Sequence, residues 1–168
     1  YVVAPGDVVF SGTAPGLGRE PWRSNGTASG TVMLDNLADE TSSTNDANPL
    51  QLVDAAGTVY FQANDGTTST LWASDGTAAG THVVVPPGPA QPNYVQSLTP
   101  IGDRLFFRGN TQAAGNEIMV TDGTAAGTHV IDTYLLGDSN PSQLVAAVDR
   151  LYFLSYNPVG ARSLWQTN

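Results

Sequence analysis

The chain is 168 residues long and 40% hydrophobic, enough for one domain or for a run of small units sharing one core. Fifteen Asp and Glu against six Lys and Arg give a formal charge of −9, which repels phosphate backbones and anionic lipid surfaces and argues against nucleic acid as a partner. The absence of cysteine excludes disulfides, thiolate catalysis and Cys-type zinc sites, and no apolar run approaches the roughly 18 residues of a membrane helix, so no membrane insertion is expected.

In chain order, the first stretch, about 1–47, opens at Tyr1 with neither an initiator Met nor a signal segment, as a mature, trimmed or partial chain would. Its β-rich run "VVF" ends at Phe10, "PWRS" carries Trp22, and "SNGTASGT" (24–31) leads into "GTVML". "LADETSSTNDAN" (37–48) then reads as a connection. The second stretch, about 48–93, runs through "LQLVDA", a tight turn at Gly57, "VYF" to Phe61, a loop "NDGTTS" (64–69), "LWAS" with Trp72, "SDGTAAGT" (74–81) and "GTHVVV". After the connection "PPGPAQPN" (86–93), the third stretch, about 94–139, repeats the order with "VQSLTPI", a turn at Asp103, "LFF" to Phe107, "IMVT" with Met119 and "TDGTAAGT" (121–128). The fourth, about 140–168, has "SQLVAAV", a turn at Asp149, "LYF" to Phe153 and "LWQT", and stops at Asn168, inside the position of the repeated turn.

The register is strict. Phe10, Phe61, Phe107 and Phe153 are spaced by 51, 46 and 46 residues, and Trp22, Trp72, Met119 and Trp165 by 50, 47 and 46. Leu52, Leu98 and Leu144 each lie nine residues before their Phe. β-Branched and aromatic runs punctuated by Gly, Asn and Asp predict four short strands per unit. "PSQLVAAVDRLYFL" alone could pass for a helix, but its alignment with "PLQLVDAAGTVYF" predicts two strands. Tandem four-stranded units of this length predict an all-β, β-propeller-like fold with four antiparallel blades, the last lacking its outer strand. The Phe and Trp anchors are expected between blades. A longer repeat protein or another chain is expected to supply the missing edge. In the octapeptide, Asn25-Gly26, Asp75-Gly76 and Asp122-Gly123 are expected to provide positive-φ turn positions, with Thr27, Thr77 and Thr124 bonding back to the turn.

"TLWASDGTAAGT" and "NEIMVTDGTAAGT" resemble the ELWxxDGT repeat family of bacterial extracellular and surface proteins. The matching positions are Leu71, Trp72, Asp75, Gly76 and Thr77, then Glu117, Asp122, Gly123 and Thr124, with Glu20, Trp22, Gly26 and Thr27 in the first unit and Leu164 and Trp165 in the last. Departures are Pro21, Asn25, Thr70, Met119 and Ser163, a drift that points to packing roles. The resemblance implies a propeller and an extracellular or cell-surface location, and it transfers no catalytic residue.

No Ser/His/Asp order or Gly-x-Ser-x-Gly elbow is present. His82 and His129 occupy equivalent strand positions and read as solvent-facing. Calcium at "NDGTTS" is a weak expectation, because the alternating acids of a calcium loop are missing. What remains is a varied loop face on a rigid scaffold. Its candidate ligand residues are Tyr94, Tyr134 and Tyr156 for stacking, with Asp65, Arg19 and Arg162 for polar contacts. The expected partner is an extracellular polysaccharide or protein. A structural block of an extracellular assembly and a carbohydrate-active enzyme are the alternatives, and the enzyme requires a close acid pair in a pocket.

Overall fold

The computed structural model describes residues 2–4, 7–37, 46–86, 88–131, 138–157 and 159–167, the first three by their backbone alone. Among them every regular element is a β-strand, and the strands form four antiparallel sheets. The chain divides into two compact units, Tyr1–Val83 and Val84–Asn168, each holding two sheets.

In the first unit, β1 (Val2–Ala4), β2 (Asp7–Ala14), β3 (Gly18–Ser24) and β4 (Val32–Met33) pair in chain order. So do β5 (Leu50–Ala55), β6 (Thr58–Asn64), β7 (Ser69–Ser74) and β8 (His82–Val83). In the second unit, β9 (Asn93–Ile101), β10 (Arg104–Thr111), β11 (Gly115–Thr121) and β12 (His129–Ile131) make the third sheet. The fourth has three strands, β13 (Ser142–Ala147), β14 (Arg150–Tyr156) and β15 (Arg162–Thr167). The helix-like stretch at 141–154 is therefore two strands, as its alignment predicts.

The anchors pair across strands. Phe10 lies opposite Trp22, Phe61 opposite Trp72, Phe107 opposite Met119 and Phe153 opposite Trp165. Directly opposed residues share a sheet face, so each unit of sequence delivers one large apolar pair to one face. In the first unit, Phe61, Val59, Ala63 and Trp72 pack with Val9 of β2 and with Leu34, Leu37 and Ala47 of the connection. In the second, Leu151, Phe153 and Trp165 pack with Phe106, Ile118 and Val120. The leucines of the first strands, Leu52 and Leu144, border these clusters. Burying one such Phe contributes about 1.5–3 kcal/mol.

The first strands of the second, third and fourth sheets carry the same irregularity. Positive φ falls at Asn48 and Gln51, at Tyr94 and Ser97, and at Asn140 and Gln143, beside register shifts in the pairing of β5, β9 and β13. Such a bulge bends the strand and re-aims its side chains. The turns into the second strands hold Ala56 at φ 51°, Gly102 at φ 61° and Val148 at φ 58°.

The octapeptide folds into one network, three times over. Gly26, Gly76 and Gly123 have φ of 85°, 86° and 94°, whereas Asn25, Asp75 and Asp122 do not adopt positive φ. This corrects the expectation that the Asx residue supplies a left-handed position. Its role is that of acceptor: Asp75 Oδ1 receives Thr77 N at 2.9 Å and Thr77 Oγ1 at 2.7 Å. Thr77 Oγ1 in turn receives Gly80 N at 3.0 Å, and Thr81 Oγ1 donates to Thr77 O at 2.8 Å. The Asn25 and Asp122 copies repeat these bonds. Thr77 bonding holds the Asp75 carboxyl below the ordinary aspartate value, and Thr124 does the same for Asp122. The second glycine has its own reason, since a Cβ on Gly80 would overlap the Asp75 carboxylate.

Candidate functional site

The connection between the first two sheets is held to them by a repeated set of bonds. Leu37 N donates to Glu20 Oε2 at 3.0 Å, and the Glu20 side chain is fully buried. Burial pushes the Glu20 carboxyl up from its ordinary value, against the Leu37 and Ala47 amides, which favour the charged form. Arg19 N donates to Asp46 Oδ1 at 2.9 Å, Asn48 N to Arg19 O at 3.0 Å and Asn64 N to Ala47 O at 2.8 Å. These bonds fix residues 46–48 across the ends of β3 and β6.

The second unit repeats the arrangement. Ser139 N donates to Glu117 Oε1 at 2.8 Å, and Ser139 Oγ donates to Glu117 Oε2. Asn116 N donates to Asp138 Oδ1 at 2.9 Å, Asn140 N to Asn116 O at 3.2 Å and Tyr156 N to Ser139 O at 3.0 Å. The signal for this was present as "DANP" at 46–49 and "DSNP" at 138–141. Sequence reasoning passed over it because the first stretch reads as the end of a solvated connection and the second carries no motif of its own.

Beside the first connection lies a cavity of about 400 Å³, lined by Asp46, Ala47 and Asn48 of the connection and by Leu50, Gln62, Asn64 and Ser69 of the second sheet. Gln62 Nε2 donates to Ser69 Oγ at 2.7 Å, and Gln51 Nε2 donates to Gln62 Oε1 at 3.3 Å. Leu50 leaves 46% of its surface exposed at the rim. Amides, a hydroxyl, one carboxylate and one aliphatic edge can hydrogen-bond and pack against a polyhydroxylated ligand.

Three of the expected ligand residues fall at the same positions within their own sheets. Asn64 and Ser69 are cross-strand partners at the end of β6 and β7. Their counterparts at the end of β14 and β15 are Tyr156 and Arg162, again directly paired, with the Arg162 guanidinium donating to Ser142 Oγ. Tyr94 is the counterpart of Asn48, at φ 50° and largely exposed.

The other expected residues take different roles. Arg19 works through its main chain, with its side chain exposed. Asp65 Oδ1 receives Thr67 N at 2.9 Å, Thr67 Oγ1 at 2.6 Å and Thr68 N at 2.8 Å, a turn of the same kind as the octapeptide's. Tyr134 lies outside the described residues.

His82 and His129 are exposed, and among the described residues no group of three or more His, Asp or Glu side chains is placed to hold a metal ion. Asp35 and Asp46 lie near enough to Glu20 to raise its carboxyl further. Glu20 is wholly covered, whereas Asp46 lines the cavity.

Among solved structures, a puromycin hydrolase matches 96% of this chain at a TM-score of 0.58 and 10% identity. The chain spans 25% of that hydrolase's length, and at this identity the likeness concerns the fold alone. No family model and no curated protein matches the sequence.

Proposed function

We propose that this chain is a non-enzymatic, β-propeller-like binding module of an extracellular or cell-surface protein, and that it takes up a polysaccharide through the groove beside residues 46–50. The observation that carries the reading is the polar cavity of about 400 Å³ at the end of β6 and β7, whose neutral amides and hydroxyl suit sugar hydroxyls. The repeat register and the resemblance to ELWxxDGT repeats support the propeller and the location. The one carboxylate in the lining, Asp46, disfavours anionic sugars and directs the choice to neutral ones.

The test is a glycan array followed by titration calorimetry. Neutral oligosaccharides are expected to bind, with Gln62→Ala and Asn64→Ala each weakening affinity about tenfold, or about 1.4 kcal/mol. No retained glycan, or affinity that both variants leave unchanged, overturns the reading.

A further inference from the structure

The acceptor at the head of the repeated turn is not the same group in every copy. Asp75 and Asp122 bring a carboxylate, and Asn25 brings a carboxamide. Asn25-Gly26 is also the only place in the sequence where glycine follows asparagine. Glycine has no Cβ to shield its amide nitrogen, so that nitrogen can approach the preceding side chain closely.

The turn favours attack on that carboxamide. Thr27 N donates to Asn25 Oδ1 at 3.1 Å, and Thr27 Oγ1 donates to the same oxygen at 2.7 Å. Two donors on one carbonyl oxygen stabilise the negative charge it gains when its carbon is attacked. Asn25, Gly26 and Thr27 are exposed, so water reaches all three. A neighbouring sheet does not remove that exposure: Asp75 and Thr77 are exposed although Arg23 of the first sheet donates to Gly76 O at 3.3 Å.

We propose that Asn25 is a deamidation site, and that the folded turn converts it to aspartate in preference to isoaspartate. Gly26 N bonds to Asn25 Cγ and gives its proton to solvent, and the Cγ–Nδ2 bond breaks to release ammonia, leaving a five-membered imide. Water then adds to one of the two imide carbonyls. Addition at Cγ breaks the new N–Cγ bond, returns a proton to Gly26 N and gives aspartate. Addition at the main-chain carbonyl breaks the original peptide bond and gives isoaspartate. Charge develops again on Oδ1 only in the first case, so the Thr27 donors favour that route.

The fold accepts the same product. At Asp75 and at Asp122 a carboxylate takes the identical Thr bonds, at 2.9 and 2.7 Å. Those bonds hold both carboxyls below the ordinary value, so at neutral pH the charged turn is expected to be the more stable form. An isoaspartate would add a main-chain atom between residues 25 and 26. That disturbs the bonds from Asn25 N to Gly30 O (3.3 Å) and from Gly26 N to Ser24 Oγ (3.1 Å).

The test incubates the 168-residue chain at mildly alkaline pH, folded and in urea. Residue 25 is followed by peptide mass spectrometry with fragmentation that separates aspartate from isoaspartate. The folded chain is expected to convert mainly to aspartate, its melting temperature moving to that of Asn25→Asp, and the chain in urea to give a larger share of isoaspartate. Thr27→Val is expected to slow conversion of the folded chain about tenfold, less than in a water-excluded site because the turn is exposed, and to raise the isoaspartate share. Thr27→Ser is expected to restore both. An Asn25 that stays an amide in the folded chain while converting in urea overturns the proposal. So does an equal isoaspartate share in the two states, or a Thr27→Val chain that matches the wild type in rate and product.

Discussion

Phe61 stands directly opposite Trp72 across the β6–β7 ladder, and both are buried in one cluster of the first unit. The equivalent pair Phe10 and Trp22 has the same register but is only half-buried, because it lies on the opposite face of its sheet from Val9. One sequence pattern thus yields two levels of burial, set by what covers each face.

Phe61→Ala is therefore expected to destabilise the chain by about 3–5 kcal/mol, and Phe10→Ala by clearly less, since only the first leaves a closed cavity. Urea unfolding with a constant slope would give both values. Equal losses would contradict the assignment of packed and open faces.

The octapeptide network ranks its own substitutions. Gly80→Ala pushes against the Asp75 carboxylate and is expected to cost about 2 kcal/mol, more than Gly76→Ala, where only the positive φ is strained and nothing lies within 4 Å. Asp65→Ala is expected to cost about as much as Asp75→Ala, because both carboxylates accept the same Thr bonds. Thermal melts of the four variants settle the order.

Val148 is a β-branched residue at φ 58°, fully exposed in its turn. No packing compensates the strain of that conformation, so Val148→Gly is expected to raise stability by about 1 kcal/mol. A melting temperature that falls would show that the side chain makes a stabilising contact.

Glu20 has a pH signature. Its folded-state carboxyl lies above the ordinary value of 4.5, so its favourable contribution is complete below that pH and is lost as pH rises through the raised value. Glu20→Gln keeps an acceptor for Leu37 N without the buried charge. Relative to it, the wild type is expected to do best in acid and to lose ground toward neutrality. Glu20→Ala, which leaves that amide unpaired, is expected to cost about 1–3 kcal/mol at every pH. Melts from acid to neutral pH check the sign; a wild type that gains on Glu20→Gln as pH rises would refute it.

The strands and their order were legible in the sequence because each depends on local alternation and on a repeat that recurs four times. The turn glycines were legible for the same reason: a positive φ is a local demand, and Gly26, Gly76 and Gly123 answer it. The acceptor role of Asp75 was not, because it depends on how the loop closes around Thr77. The groove escaped entirely. Asp46 and Asn48 meet Gln62, Asn64 and Ser69 only after Glu20 and the Arg19 backbone draw the connection onto the sheet ends. Local chemistry thus determined the sheets from the sequence, while long-range hydrogen bonds from buried or stapled residues decided which polar side chains share a site.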